Sequence, residues 1–300
     1  MKKSNTLSKM KCRWRPGQKI EYFLPVGSAF LDVNAAIGSK VSLKFTGDIY
    51  CAECGEKTPK SYSQGYCFWH SQSLACNDMC QLKPETCHFH LGTCREPDWG
   101  DRNCMIPHLI YLANSSGLKV GITRKYQHVN RWVDQGAVSA IGICEVGSRI
   151  EAGLVETELK KMVSDKTNWR KMLKGEVEDL DLLAERERLE GSIPVNISSV
   201  PASHEIFEAL YPVEKYPQKI VSLNFDKEPL LTGVLQGIKG QYLIFDCGVI
   251  NIRKFTGYEV EYQGFAEVKS LPEDHIKCFT SKGMEGAVDD NLRTGPYGAW

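Results

Sequence analysis

Eight of the twelve cysteines in this 300-residue chain lie between Cys51 and Cys104. The first residues contain no apolar run of the kind that marks a secretory signal, so we expect a reducing, cytoplasmic setting. In such a setting, clustered cysteines at short spacing hold metal more often than they form disulfides. The stretch also has few periodic apolar residues of its own, a deficit that a structural metal compensates. We therefore predict a zinc-binding, cysteine-rich module at 51–106.

One ligand set follows from spacing. Cys51-x2-Cys54 and Cys67-x2-His70 are separated by twelve residues. Each x2 spacing lets two ligands reach one tetrahedral Zn²⁺ without strain, and two such pairs complete the coordination. Gly55, directly after the first pair, suits the tight turn that this geometry requires. These four residues are the predicted ligands of a structural zinc ion.

The remaining clustered cysteines predict a second metal, with two alternative ligand sets. One set is Cys76, Cys80, Cys87 and His90, in which Cys87-x2-His90 supplies the short spacing. The other set is Cys80, Cys87, Cys94 and Cys104. A complete set of cysteine and histidine ligands leaves no open coordination position, which favours a structural role over a catalytic one.

Charge and composition limit the classes of function. The chain has 37 basic and 37 acidic residues and a formal net charge of zero, so any contact with DNA or RNA must come from a local patch. Its 42% hydrophobic and 25% charged residues are typical of a globular protein. Apolar runs are only a few residues long, which predicts no membrane segment.

Patterning along the chain predicts an α+β fold built from several segments. Residues 107–175 read as a small α/β unit of β-hairpin, helix, strand and helix. The C-terminal strands predict a small barrel or meander, which strands near 19–45 can complete. The predicted division is an N-terminal β segment (1–50), the cysteine-rich module (51–106), the α/β unit (107–175), a charged helical connector (176–216), a β-rich domain (217–264) and a flexible tail (265–300).

Two short motifs in the α/β unit carry a family resemblance. Leu109-Ile110-Tyr111 and Lys119-Val120-Gly121 resemble the paired motifs of the GIY-YIG nuclease domain, in the branch that has K-[IV]-G in place of YIG. This resemblance covers about 107–173. The wider chain, which contains LKVGIT, RWVDQGA and DKTNWRKMLKG, resembles the domain of unknown function 2797 family over most of residues 5–262.

The nuclease resemblance implies a role for each matching residue. Tyr111 matches the tyrosine beside the attacking water, and Lys119 stands where a second tyrosine is usual. Arg131 matches the arginine that faces the scissile phosphate, for which a guanidinium fork is suited. Glu156 matches the carboxylate that holds a single Mg²⁺ ion. Asn168 matches a polar residue near the phosphate.

The sequence also departs from the family pattern. The first motif begins with leucine, and Gln135 occupies the position four after Arg131 where a histidine or tyrosine is expected. Glu158 is a rival for the metal-binding carboxylate. Structural roles are alternatives for four members of the set. Tyr111 can be a core residue, and Asn168 can cap a helix. Arg131 can form a surface ion pair with Asp134 or Glu156, and Glu156 can be a solvated helix residue.

Two functions follow from these features. The first is a zinc protein with a Mg²⁺-dependent endonuclease activity on DNA or RNA. The alternative is a non-catalytic zinc module that binds nucleic acid or docks a protein. Trp69, Trp99, Trp132 and Trp169 can stack on unpaired bases, although burial is the commoner fate of tryptophan.

Overall fold

The computed structural model describes residues 5–164 and 166–271, and most of the predicted flexible tail lies outside them. In chain order the strands are β1 (Lys11–Arg13), β2 (Glu21–Val26), β3 (Ala29–Asp32), β4 (Lys40–Ile49), β5 (His108–Asn114), β6 (Leu118–Arg124), β7 (Ser139–Val146), β8 (Ser199–Pro201), β9 (Phe207–Glu208), β10 (Leu230–Lys239), β11 (Tyr242–Phe245), β12 (Gly248–Asn251), β13 (Tyr258–Gln263) and β14 (Ala266–Val268). The α-helices are α1 (Phe68–Ser73), α2 (Pro97–Asn103), α3 (His128–Asp134), α4 (Arg149–Leu159), α5 (Trp169–Leu173) and α6 (Leu182–Glu190). The fold is mixed α+β.

Two compact units divide these residues. The first unit comprises 5–71, 173–175 and 209–271, and the second comprises 72–164, 166–172 and 176–208. The division places the predicted ligands Cys51 to His70 in the first unit and the later clustered cysteines in the second. In the part of the chain that the structure describes, no helix is long and apolar enough to cross a membrane.

The first unit contains two antiparallel sheets. One has the order β1-β2-β3-β14, and the other has the order β12-β11-β10-β4-β13. In β4, Val41 and Leu43 are buried while Lys40 and Lys44 are exposed, as expected for a strand with one face on a core. The early strand β4 thus joins the C-terminal strands. Ser222 forms an isolated bridge with Val249 of β12, and β14 shows that regular structure continues past residue 265.

The second unit is built on one sheet, with the order β6-β5-β7-β8 and β9 also paired to β7. Its central part has the predicted order of hairpin, helix, strand and helix. Ile110 and Leu112 of β5 belong to the same buried cluster as Val155 and Leu159 of α4, which places α4 on that face of the sheet. The charged segment predicted as a solvated connector contributes Leu189 of α6 to this cluster, so α6 is an amphipathic helix that packs on the core.

Candidate functional site

The four donors predicted to bind the first metal lie together in the first unit. The sulfur atoms of Cys51, Cys54 and Cys67 and a ring nitrogen of His70 are all within 4.8 Å of one another. Nδ1 of His70 is 3.2 Å from Sγ of Cys67 and 3.5 Å from Sγ of Cys51. Donors on one zinc tetrahedron are about 3.5–3.8 Å apart, given Zn–S and Zn–N lengths of about 2.3 and 2.0–2.1 Å. This cluster can hold a metal ion.

Backbone N–H groups surround the innermost sulfur. The N–H of Cys67 donates to Sγ of Cys51 over 3.3 Å. Burial disfavours the charged thiolate, but hydrogen bonds from the backbone of Cys54, Cys67 and Glu53 prevail and lower the pKa of Cys51 to about 7. Thiolate is the form that binds zinc, so the local backbone prepares this residue to act as a ligand.

Local structure positions both pairs. Cys51 follows β4, and its carbonyl accepts the N–H of Gly55 over 2.9 Å, which closes the turn between the first two ligands. Gly55 has φ of +72°, a left-handed conformation that glycine adopts without the penalty a Cβ imposes. The second pair straddles the start of α1: Cys67 directly precedes the helix and His70 lies in its first turn.

The two residues between Cys67 and His70 project into solvent. Phe68 and Trp69 are 58% and 72% exposed, which is unusual for large aromatic side chains. Tyr62 contacts Phe68 edge to face at 5.4 Å between ring centroids, and Nζ of Lys60 lies 4.7 Å from the centre of the Tyr62 ring. We call Lys60, Tyr62, Phe68 and Trp69 the knuckle surface.

The later cysteines lie in the second unit, in a segment of short 3-10 turns followed by α2. A cavity of about 10 Å³, room for roughly one water-sized sphere, separates several of their side chains. The potential metal donors that line it are Asp78, Cys80, Cys87, His88, Cys94 and Cys104. Cys76 and His90 are not among its lining residues, and His90 is exposed. All four cysteines of the second predicted set line this cavity, but no three of their sulfur atoms lie within 4.8 Å of one another.

Asp78, Cys80 and His88 form a second group whose donor atoms lie within 4.8 Å of one another. Oδ1 of Asp78 accepts the N–H of Cys80 over 3.2 Å, and Oδ2 is 2.7 Å from Nε of Arg95. Nδ1 of His88 is 2.8 Å from Oγ1 of Thr93. Both oxygens of the carboxylate and one ring nitrogen therefore already have protein partners.

The residues of the nuclease resemblance do not all converge. Tyr111 is fully buried, its hydroxyl accepts a hydrogen bond from Nε2 of Gln135 over 2.8 Å, and its ring packs edge to face against Trp132 at 5.8 Å. Lys119 is also buried. Tyr111 pairs with Gly121, which lies two residues after Lys119 on β6, so the side chains of Tyr111 and Lys119 point to the same face of the hairpin. This is the face opposite α4.

Asn168 has a capping role. It is exposed, its side-chain Oδ1 accepts the N–H of Lys171 over 3.2 Å, and its own N–H donates to Oγ of Ser116 over 3.1 Å. A side-chain oxygen that accepts an N–H three residues later is the usual cap at the start of a helix, here α5. The alternative structural interpretation thus accounts for the contacts of Asn168 in full.

The charge of Arg131 influences Glu156, so these two members of the set lie within electrostatic reach of each other. Glu156 is 8% exposed and forms an ion pair with Lys160 at 3.1 Å. Burial raises the pKa of Glu156, and the charges of Lys160 and Arg131 oppose that rise. Nε and Nη1 of Arg131 are buried without a hydrogen-bond partner among residues 5–164 and 166–271. These two nitrogens are therefore shielded both from solvent and from other polar groups in that part of the chain.

Comparison with known proteins gives the family. A family model described as "Protein of unknown function (DUF2797)" matches residues 38–260. The chain belongs to this family. The DUF2797 match includes the whole of the first metal-donor cluster, the later cysteines and the hairpin that carries Tyr111 and Lys119. No curated protein and no solved structure matches the chain.

Two arginines of this DUF2797 protein contact the cysteine segment, and the sequence did not predict these contacts. Arg124 donates from Nε to the carbonyl of Asn103 over 2.9 Å, and Arg149 donates from Nη2 to the carbonyl of Gln81 over 2.8 Å. Each is a single arginine at the boundary of an element, at the end of β6 or the start of α4. No local pattern distinguishes such an arginine from a surface residue.

Proposed function

We propose that this protein is a structural-zinc protein that binds single-stranded nucleic acid through the knuckle surface and does not hydrolyse it. One observation carries the proposal. Phe68 and Trp69 occupy the two positions between Cys67 and His70, so a zinc ion bound to this pair fixes the turn that displays both rings. A fixed aromatic platform loses little conformational entropy when a base stacks on it.

The chemistry of the knuckle surface suits bases better than an apolar partner. Stacking on an aromatic side chain contributes about 1–3 kcal/mol per base and tolerates any base, because every base has a π face. Lys60, beside Tyr62, adds a cation where a phosphate backbone would follow the rings. A neutral protein can use such a local site, and the expected dependence on salt is modest because few cations take part.

The test compares Trp69→Ala with Leu210→Ala, a matched control at an exposed apolar side chain in the same unit. Binding of fluorescein-labelled oligo(dT) and oligo(U) is measured by anisotropy with zinc-loaded protein. We expect Trp69→Ala to weaken binding about tenfold, which is the loss of one stacked base, and Leu210→Ala to bind like the wild type. Equal affinity of both variants, or no binding of any oligonucleotide by the wild type, contradicts the proposal.

Phosphodiester hydrolysis is the second candidate, and the pair of Arg131 and Glu156 favours it. An arginine with unpaired buried nitrogens can hold a phosphate, and a nearby carboxylate can hold Mg²⁺. The buried, covered hydroxyl of Tyr111 argues against the proton transfer that the family resemblance implies. Binding without turnover is therefore the function that the geometry supports best.

Labelled DNA and RNA incubated with Mg²⁺ or Mn²⁺ decide between the two candidates. Cleavage by the wild type that Glu156→Ala abolishes would establish hydrolysis in place of simple binding, and so would cleavage that is abolished by Glu158→Ala, at the rival carboxylate on the same helix. Glu151→Ala, in the first turn of that helix, is the matched control.

A further inference from the structure

We infer that the second unit holds its own structural zinc ion, bound by the four thiolates of Cys80, Cys87, Cys94 and Cys104, and that Arg124 and Arg149 balance the charge of this centre. The site is independent of the knuckle surface and lies in the other unit. All four cysteines line one small cavity of this unit.

The four cysteines come from separate turns and meet at one cavity. Cys80 lies in one 3-10 turn, and Cys87 directly follows the next one along the chain. Nε2 of Gln81 lies 4.0 Å from Sγ of Cys80 and 3.8 Å from Sγ of Cys104. Sγ of Cys94 lies 3.3 Å from the point where a Cβ on Gly100 would stand, at the turn of α2 that ends on Cys104. The cavity between them has room for about one ion.

Charge favours four thiolates over the rival group of Asp78, Cys80 and His88. A Zn²⁺ ion with four thiolates carries two negative charges, which a protein interior must compensate. Arg124 is buried and Arg149 is half-buried, and among the residues described no carboxylate oxygen lies within 4.0 Å of either guanidinium. Two cations withdrawn from water without an ion-pair partner are costly unless negative charge lies nearby.

Both arginines hold the backbone that carries the ligands. Arg124 bonds the carbonyl of Asn103, the residue before Cys104. Arg149 bonds the carbonyls of Cys80 and Gln81, at 3.5 and 2.8 Å, and its own N–H donates to the carbonyl of Cys104 over 2.8 Å. Each cation therefore lies beside one or two of the proposed ligands, where it stabilises thiolate over thiol.

The proposed centre also anchors α4. Arg149 is the first residue of that helix, and Gly153, one turn later, packs against the turn between Cys80 and Cys87: a Cβ at Gly153 would stand 2.3 Å from the backbone nitrogen of Glu85. Because Glu156 follows on the same helix, the metal would fix the start of the element that carries this candidate carboxylate.

The first experiment counts metal. Inductively coupled plasma mass spectrometry of protein purified under reducing conditions should find two zinc ions per chain in the wild type, and one in Cys87→Ser/Cys94→Ser. Cys76→Ser and His90→Ala should retain two. A wild type with one zinc ion overturns the proposal, and so does loss of a zinc ion from Cys76→Ser or from His90→Ala. The proposal is also overturned if Asp78→Asn/His88→Gln loses a zinc ion while Cys94→Ser keeps both ions.

A second measurement does not require a variant that folds. Wild-type protein loaded with ¹¹³Cd²⁺ should give two resonances, one shifted downfield to the region of four sulfur ligands and one in the region of three sulfur and one nitrogen ligand. Two resonances of the latter kind, or a single resonance, would rule out the tetrathiolate.

The charge argument has its own test. Arg149→Gln should lower zinc affinity of the second centre about tenfold or more in competition with a chromophoric chelator, as is typical when a group that supports metal ligands is removed. Arg186→Gln is the matched control, because Arg186 is also a buried arginine bonded to two backbone carbonyls, those of Ala202 and Ser203. Equal zinc affinity in the two variants would refute charge compensation by Arg149.

Discussion

Lys239, in the first unit, offers the sharpest test of the energetics of this fold. Its amine is fully buried and has no hydrogen-bond partner among the residues that the structure describes. Nζ lies 5.3 Å from the ring centre of Tyr211 and 5.5 Å from that of Tyr216. Burial lowers the pKa of Lys239 from its ordinary value of 10.5 to about 8. Keeping this amine charged at neutral pH therefore lowers the stability of the folded state.

The size of that cost follows from the pKa. One pKa unit corresponds to about 1.36 kcal/mol, so the buried ammonium destabilises the folded protein by roughly 3 kcal/mol at pH 7. Attraction between the cation and the two tyrosine rings offsets about 0.5–2 kcal/mol of it. Methionine has a similar unbranched shape and no charge. We expect Lys239→Met to raise the free energy of unfolding by about 1–3 kcal/mol at pH 7.

The effect of Lys239→Met on stability should depend on pH. Since the folded pKa is the lower one, the unfolded chain binds more protons between pH 8 and 10.5, and wild-type stability rises over that interval. The advantage of Lys239→Met should therefore shrink as the pH rises above 8. Urea denaturation at pH 7 and pH 9.5 measures both effects. Lys254→Met, at an exposed lysine 5.4 Å from the ring of Phe255, is the matched control and should change stability little. A destabilised Lys239→Met, or an advantage that is constant with pH, would refute this reasoning.

Three further predictions concern the metal and the α4 helix. Chelation of zinc under reducing conditions should lower Tm by about 10 °C or more in a thermal scan, and restored zinc should reverse the loss; an unchanged Tm would contradict a structural metal. Because burial raises the pKa of Glu156, its ionisation destabilises the fold, so wild-type stability relative to Glu156→Gln should fall as pH rises from about 4 to 7 in urea titrations, and a rise would contradict the direction of the shift. Gly153→Ala should lower the free energy of unfolding by about 1–2 kcal/mol, because the new Cβ would meet the backbone of Glu85 and outweigh the better helix propensity of alanine. At the control Gly191→Ala the new Cβ meets open space, so stability should not fall. Equal effects of the two substitutions in urea denaturation would argue against the close contact at Gly153.

Local spacing and alternation carried much of the prediction. The x2 spacing of Cys51 and Cys54 and of Cys67 and His70 specifies two turns whose donors can share one ion, and the structure places the four donors together. The strands of the β5-β6 hairpin, β7 and the helices beside them fell close to their predicted positions, because hydrophobic periodicity reports which faces are buried.

Long-range packing decided the rest. The sequence left two ligand sets open for the later cysteines, and only the turns that follow Ala75 show which side chains face one cavity. It assigned Tyr111 a chemical role, whereas in the folded chain Trp132 of α3 packs against the Tyr111 ring and Gln135, directly after α3, bonds its hydroxyl. Such contacts depend on how elements pack, which no local pattern records.

By itself, then, the sequence determined the first metal cluster and the order of elements in the second unit, since both depend on neighbours along the chain. Tertiary structure alone determined that β4 pairs with strands almost two hundred residues later, that Arg124 and Arg149 reach the ligand-bearing backbone, and that Lys239 is enclosed by two tyrosines. A buried arginine or lysine looks the same in the sequence as an exposed one, because its burial and its partners arise only when distant segments of the chain meet.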